Sequence, residues 1–406
     1  MTELSDLQTT SQEAASMRAR LDGYVKAGVT RQTELLQVIT SRMVTNRLPL
    51  PDSLRVRLTA TKGQLLLVAE SKDEPKQCFS APLHRNALQQ LCSNPPDIKV
   101  SMRDIRWFLE GEVSRQMIVP FIFNTLFANE HFLTGGGAKR KGRIKRFLVR
   151  LVKEGGSDKE EVRAFLSDKF GVTYDTKQLL RAFVESCGRI GAGPVAAYHD
   201  DLRTSLTCCL PYVFEPVDKS FIALGVNFTN SDFGRGALAI STVAFSLRSG
   251  TSAILEHEYS KRHIGTVLSC TELESSAEFK RAEINAQAQA VRDLVPRALS
   301  LEATQNTLEL IQWAHEHRMQ WYEVDKFLTS AAALRKEERD RLRQLLAGPP
   351  MGELPSPSVD QDGDWQANAW WLANAIGWLG ANELEEKRHD LELAAGKLLG
   401  KVTENR

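Results

Sequence analysis

A run of basic residues near the middle of the chain carries the clearest chemical signal in the sequence. Between positions 139 and 153 there is no acidic residue, and eight positions are basic: Lys139, Arg140, Lys141, Arg143, Lys145, Arg146, Arg150 and Lys153. Apolar residues recur through the same segment at helical spacing, at Ile144, Phe147, Leu148, Leu151 and Val152. This pattern predicts an amphipathic basic helix over 139–153 whose cationic face binds the phosphates of a nucleic acid. Two alternatives remain open: a solvated face balanced by the acids at 154–168, and a surface for an anionic lipid or an acidic protein.

A second candidate is a cluster of short polar residues between two apolar runs, Phe221–Phe228 and Ala237–Leu247. The runs predict a buried β-hairpin, and the residues between them favour a turn. The turn is either structural or a loop that binds a ligand or partner. The candidate residues for such a loop are Asn230, Ser231, Asp232, Gly234, Arg248, Arg262 and His263.

Catalytic, metal and nucleotide-binding patterns are weak. His257, Glu258 and His263 lie close together and, with Asp232, define a metal-dependent nuclease as one hypothesis. A hydrogen-bonding role for each histidine is the simpler interpretation. The chain lacks the GxxxxGK[ST] pattern of a phosphate-binding loop. We therefore predict no catalytic residue, no metal, no cofactor and no nucleotide hydrolysis.

Composition limits the classes of protein that the chain can represent. It has 406 residues, of which 42% are hydrophobic, and its 52 basic and 51 acidic residues leave a net charge of +1. No global field therefore attracts nucleic acid or membrane, and any such preference must come from a local patch. The six cysteines form no CxxC pair, and the N-terminus has no apolar signal core. Uncharged runs are too short or too polar to span a bilayer. These features predict a reduced, soluble, cytoplasmic protein without a membrane partner.

The elements that must position these residues follow from changes in pattern along the chain. The prediction is an α+β fold with an antiparallel β core, flanking helices and a helical C-terminal region. Its segments are a helical 1–50 with a break at Gly28, an α+β core over 51–270, a helical region over 271–347, a Pro/Gly-rich linker over 348–364, and Trp-rich helices over 365–406 packing on the core. The tryptophans could stack on bases, but their helical spacing favours core packing.

Several segments, in their order along the chain, resemble one protein family that is encoded by phages, plasmids and other mobile elements. The matching segments are Arg163–Phe170, Gly225–Gly234 with its N-S-D-x-G sequence, Arg262–Gly265, Trp370–Ala375 and Leu391–Leu399. They are similar to the phage/plasmid-like protein family, a domain-of-unknown-function family. Where that family usually carries a C-T-N-G-like segment, this chain has Leu247-Arg248-Ser249-Gly250, so only the glycine is shared. The resemblance implies a mobile-element origin and an α+β core, and it implies no established activity.

Together these features lead to a functional prediction with two alternatives. The first hypothesis is a phage or plasmid protein, in the cytoplasm of a bacterial host, that binds single-stranded DNA in replication or recombination. Strand annealing and assembly into a homo-oligomer fit this class. The second hypothesis is a protein–protein interaction module or virion-associated protein that acts on a host factor. The third is the metal-dependent nuclease.

Overall fold

The fold is known from a computed structural model. It describes residues 2–59, 64–93, 120, 123–124, 146–263, 277–331, 336–347, 358–359, 365–382 and 387–404. The predicted α+β class is confirmed: the strands form antiparallel sheets, helices flank them, and the C-terminal region is helical.

Helices and strands alternate in blocks along the chain. The helices are α1 (Thr2–Ser5), α2 (Gln12–Ser41), α3 (Arg85–Ser93), α4 (Thr176–Arg189), α5 (Ala277–Ala298), α6 (Leu301–Glu316), α7 (Trp321–Ala331), α8 (Lys336–Ala347), α9 (Ala369–Asn382) and α10 (Arg388–Glu404). The strands are β1 (Met43–Arg47), β2 (Leu54–Leu58), β3 (Leu65–Ala69), β4 (Phe79–Pro82), β5 (Phe147–Lys153), β6 (Glu160–Ser167), β7 (Gly193–His199), β8 (Thr204–Cys209), β9 (Phe214–Val217), β10 (Ser220–Asn230), β11 (Leu238–Ser246), β12 (Thr251–Lys261), β13 (Arg318–Gln320), β14 (Ser358–Val359) and β15 (Trp365–Asn368).

A six-stranded sheet forms the centre, with strand order β12-β11-β10-β8-β7 and with β9 paired to β10. The predicted hairpin is confirmed as β10 and β11, which pair from Ile222 opposite Ser246 to Thr229 opposite Ala239. Both strands read as continuous apolar runs because both faces of this sheet are covered. Phe221 and Phe245 face α2 on one side.

The opposite face of the central sheet carries the other helices. Its β10 residues Val226 and Phe228 pack with α4 and α5, whereas Ile222 and Leu224 pack with α9 and α10. The C-terminal Trp370 and Trp371 are buried in this second group, which confirms core packing for these two tryptophans.

Two smaller sheets come before the central sheet in the chain and lie beside each other. One has the order β2-β3-β4 and the other β1-β5-β6. A parallel bridge between Leu83 and Val162 joins them, with the N–H of His84 donating to the carbonyl of Val162 at 2.9 Å. One cluster of buried apolar side chains includes residues from both sheets, so the two sheets share a hydrophobic core.

The predicted basic helix is wrong over the part of it that the structure describes. Residues Phe147–Lys153 form strand β5, in the middle of its sheet between β1 and β6. All its residues except Lys153 are buried. A short apolar run buried on both faces of a sheet has apolar residues at many spacings, including helical ones, and this coincidence misled the prediction. The positions 139–145 lie outside the described residues.

The N-terminal segment also differs from its prediction. Helix α2 runs through Gly28 without a break and ends at Ser41, and residues Met43–Arg47 form a strand. A Cβ at Gly28 would lie 1.9 Å from the carbonyl oxygen of Pro194. This glycine therefore permits close packing of the helix on β7.

Among the described residues no helix is long and apolar enough to cross a bilayer.

Candidate functional site

The loop between β10 and β11 lies at the junction of the central sheet, the β1-β5-β6 sheet and helix α4. Its first half is buried: Asn230, Ser231, Asp232 and Phe233 are each 7% exposed or less. Its glycines at 234 and 236 are exposed. The loop therefore has a buried half inside the protein and an exposed half at the surface.

Arg150 ties the buried half of the loop to its surroundings. Its guanidinium, which is fully buried, forms a bidentate pair with the Asp175 carboxylate at 2.8 and 2.6 Å. It also donates to the Asp232 carbonyl oxygen at 2.6 Å and to Asn46 Oδ1 at 3.0 Å. Burial alone lowers the pKa of an arginine, but the charge and hydrogen bonds of Asp175 raise the pKa of Arg150 above its ordinary value. Arg150 is thus an internal cation whose guanidinium nitrogens all donate to groups within the protein.

The Asp232 side chain is hydrogen-bonded to the first residue of helix α4. Its Oδ1 accepts from the main-chain N–H of Thr176 at 2.8 Å and from the Thr176 hydroxyl at 2.7 Å. Burial and the like charge of Asp175 raise the pKa of Asp232 to about 6, against the opposing effects of Arg150 and Thr176. This geometry makes Asp232 a link between the loop and α4.

His263 joins the same network through Asn230. The Asn230 amide nitrogen donates to the Tyr174 carbonyl at 2.6 Å, which fixes the orientation of the amide and directs its oxygen to His263 Nε2 at 2.7 Å. Its Nδ1 lies 3.2 Å from the Gly171 carbonyl oxygen, so both ring nitrogens face acceptors and a neutral ring donates to only one of them. Burial lowers the pKa of His263 to about 4, so the ring is neutral at pH 7. Its face stacks on Phe170, with ring centroids 4.7 Å apart.

Three arginines surround the ring of Phe233, the residue at the centre of the loop. The guanidinium carbons of Arg42, Arg163 and Arg150 lie 5.6, 5.8 and 6.0 Å from its centroid. Arg42 and Arg163 share one oxygen of Glu154, at 3.2 and 2.6 Å. Cation–π contacts and shared ion pairs stabilise this crowding of like charge. The sequence analysis did not identify this cluster, because its members come from distant parts of the chain.

A cleft opens beside the exposed half of the loop, with a volume of about 590 Å³. It is lined by Leu166, Ser167, Lys169, Phe170, Gly234, Gly236, Ala237, Arg262 and His263. Lys169 and Arg262 are exposed cations, and neither forms an ion pair with any residue that the structure describes. The cleft therefore combines an apolar lining with two cations free to bind an anion.

The described end of the basic segment lies next to this cleft. Phe147, the first residue of β5, pairs with Ser167, and Ser167 lines the cleft. Lys145 precedes Phe147 by two positions in the sequence. Five predicted phosphate contacts lie outside the described residues: Lys139, Arg140, Lys141, Arg143 and Lys145.

The remaining predicted phosphate contacts have intramolecular partners. Arg146 forms a bidentate pair with Glu74 at 2.8 and 2.6 Å and donates to the Leu48 carbonyl. The Lys153 ammonium lies 3.3 Å from Asp158. Together with the buried Arg150, these contacts engage the described end of the basic run within the protein.

The structure assembles most of the predicted ligand loop and separates one member. Gly234, Arg262 and His263 line the cleft, and Asn230, Ser231 and Asp232 lie in the buried half of the loop. Arg248 does not belong to this site. It pairs with Glu13, donates to the Lys219 carbonyl at 2.8 Å and lies over the Phe221 ring at 5.5 Å.

Two members of the nuclease hypothesis have other roles. Asp232 and His263 are engaged in the network around the loop. The side chains of His257 and Glu258 lie outside the described part of the structure. Within that part, no group of three or more His, Cys, Asp or Glu residues could hold a metal ion.

Comparisons with known proteins leave the resemblance as a prediction. No family model, no curated protein and no solved structure matches the chain.

Lys169 and Phe170 are cleft residues that the sequence analysis did not select as a site. Both follow directly on β6, the strand that pairs with the end of the basic run, and only that pairing reveals their position.

Proposed function

We propose that this protein binds single-stranded nucleic acid, with the strand's phosphates contacting Lys169 and Arg262 at the cleft and the basic residues at 139–145. The observation that carries the proposal is the cleft with two cations that have no ion-pair partner in the described structure. A buried cation such as Arg150 needs an internal counter-charge, whereas an exposed unpaired cation at a concave surface is available to an external anion.

The cleft favours a single strand over a duplex. Its apolar lining, which includes Leu166 and Ala237, suits the faces of unstacked bases. A duplex keeps its bases stacked inside and presents a broad backbone that does not enter a concavity of this size. The sequence resemblance supports a mobile-element setting, with a role in replication or recombination in a bacterial cytoplasm. Strand annealing is the activity to assay once binding is measured.

The test is a titration of a fluorescent thirty-nucleotide oligothymidylate, followed by anisotropy across a salt series. The double variant Lys169→Glu/Arg262→Glu removes both cleft cations. The matched control, Lys26→Glu/Arg31→Glu, reverses two exposed charges on α2. We expect the wild-type protein and the control to bind with the same steep salt dependence. The cleft variant should bind more weakly, and its log–log salt slope should be smaller by about 1.4, for two lost single-strand phosphate contacts.

Two results would contradict the proposal. One is absence of wild-type binding at low salt. The other is a cleft variant whose affinity and salt slope match those of the α2 control. Either result would favour the interaction-module hypothesis, and capture of a host protein by the full-length chain would then be the next experiment.

A further inference from the structure

Arg235 lies on the exposed half of the loop, between the two glycines that line the cleft. Its side chain reaches helix α3. Its Nε donates to Asn86 Oδ1 at 2.5 Å, and its terminal nitrogen donates to Gln89 Oε1. Both acceptors are neutral amides, so these contacts orient the guanidinium without neutralising it.

Two more arginines are close enough to repel the charge of Arg235, and one of them, Arg203, also contacts its main chain. Arg203 Nε donates to the main-chain oxygen of Arg235 at 2.8 Å. Arg85, the first residue of α3, is exposed and adjoins Asn86 in the chain. Burial, followed by the like charges of Arg203 and Arg85, lowers the pKa of Arg235. The three guanidinium groups therefore form one cluster of like charge.

One member of the cluster, Arg203, has a carboxylate partner. Asp390 binds Arg203 at 2.8 Å, Asp201 lies 3.6 Å from His84, and Asp200 accepts from the Tyr198 hydroxyl at 3.0 Å. Within the described structure, neither Arg85 nor Arg235 has an ion pair with a carboxylate. A polyanion is the partner that relieves repulsion among such arginines, because each guanidinium can donate two hydrogen bonds to a phosphate.

We propose that Arg85, Arg203 and Arg235 form a phosphate-binding surface that continues the path of a bound single strand beyond the cleft. The inference rests on the proposed function, because the strand must first occupy the cleft. Residues 234–237 connect the cleft with the arginine cluster, because Gly234 and Gly236 line the cleft and the Arg235 guanidinium contacts α3. A single nucleic-acid strand that extends from the cleft past residues 234–237 would contact both sets of cations.

The test uses Arg85→Glu, because Arg85 is exposed and its side chain forms no hydrogen bond or ion pair with the residues that the structure describes. A glutamate there is attracted by Arg203 and Arg235, so folding is preserved, and circular dichroism checks it. Arg85→Lys retains the charge, and Arg31→Glu is the matched control for reversal of an exposed arginine. Each protein is titrated with oligothymidylates of six and thirty nucleotides across the salt series.

We expect Arg85→Glu to weaken binding of the thirty-nucleotide strand and to reduce its salt slope by about 0.7, one phosphate contact. Binding of the six-nucleotide strand, which the cleft alone can hold, should change no more than in Arg31→Glu. Arg85→Lys should retain most of the affinity for the long strand.

Two outcomes separate this inference from the proposed function. If the cleft variant weakens binding but Arg85→Glu behaves as Arg31→Glu on the long strand, the arginine surface is refuted and the cleft stands. If the wild-type protein binds neither strand, the proposed function itself fails. An equal loss on both strands would also overturn the inference, because it would place Arg85 within the cleft's own footprint.

Discussion

Replacing Arg150 with methionine tests whether this arginine stabilises the fold or binds a phosphate. The sequence places it in a basic run, and the structure buries it completely against the Asp175 carboxylate, the Asp232 carbonyl oxygen and Asn46 Oδ1. Methionine has a similar length and an apolar side chain, so Arg150→Met removes the charge and the hydrogen bonds while filling much of the space.

The expected loss follows from the partners that remain behind. Asp175 is 36% exposed at its side chain, so water can solvate it after the change. The buried Asp232 carbonyl and the half-buried Asn46 Oδ1 lose a donor, and a buried acceptor left unsatisfied costs about 1–3 kcal/mol. The buried Asp232 carboxylate also loses a neighbouring positive charge. The sum is about 3–5 kcal/mol, the range for breaking a buried ion pair.

Urea unfolding followed by circular dichroism measures this loss. With a slope near 3 kcal/mol per molar urea, the midpoint should fall by roughly 1–2 M. Lys153→Met on the same strand is the matched control, because its pair with Asp158 is exposed and contributes little. A double-mutant cycle with Asp175→Asn should show coupling of about 0.5–3 kcal/mol between the two positions.

The reasoning is refuted if Arg150→Met and Lys153→Met have the same midpoint. A folded Arg150→Met protein of unchanged stability that no longer binds single strands would instead restore Arg150 as a phosphate contact. A large loss of stability for both variants would show that the β5 strand tolerates no change, and the cycle with Asp175 would then decide whether the pair matters.

Two further predictions concern pH and the loop. Burial lowers the pKa of His199 and His263 to about 4, below an unfolded value of about 6.5. The neutral rings therefore contribute fully to the free energy of unfolding above pH 6.5, and this contribution is lost as the pH falls toward 4. Asp232, whose pKa is raised to about 6, acts in the opposite sense and offsets part of this loss. The free energy of unfolding should therefore fall by roughly 2 kcal/mol from pH 7 to pH 5, and His199→Gln should remove most of the fall; a flat wild-type profile in urea would contradict this. Gly234 has a φ of +75°, and a Cβ there would lie 2.6 Å from Leu166 Cδ2. Gly156 has a similar φ of +86° with no atom within 4 Å of its Cβ position, so Gly234→Ala should lower the thermal midpoint more than Gly156→Ala, and equal shifts would show that the loop relaxes.

Local patterns predicted much of the architecture because they depend on neighbours in the chain. The alternation at Leu54, Val56 and Leu58 predicts a half-buried strand, and β2 begins and ends at these outer residues. The two apolar runs around the polar turn predict the central hairpin in its correct place. Burial on both faces of this hairpin follows from runs too apolar for a sheet with one solvated face.

The site was only partly predictable for a related reason. The N-S-D-x-G turn stands out in the sequence, and its residues do lie at the junction of three elements. Nothing local indicates that Asp232 faces Thr176, or that Lys169 and Arg262 line the same cleft. Such juxtapositions depend on contacts between residues tens of positions apart, which no local pattern encodes.

By itself, the sequence determined the α+β class, the apolar runs that must be buried and a basic segment without internal acids. Only the tertiary structure decided what each basic residue does. The spacing of Phe147, Leu148, Leu151 and Val152 suits both one face of a helix and a strand covered on both faces. Pairing with β1 and β6 selects the strand. That choice places Arg150 inside the protein beside Asp175. It leaves Lys169 and Arg262 at the surface, where the phosphates of a nucleic acid can reach them.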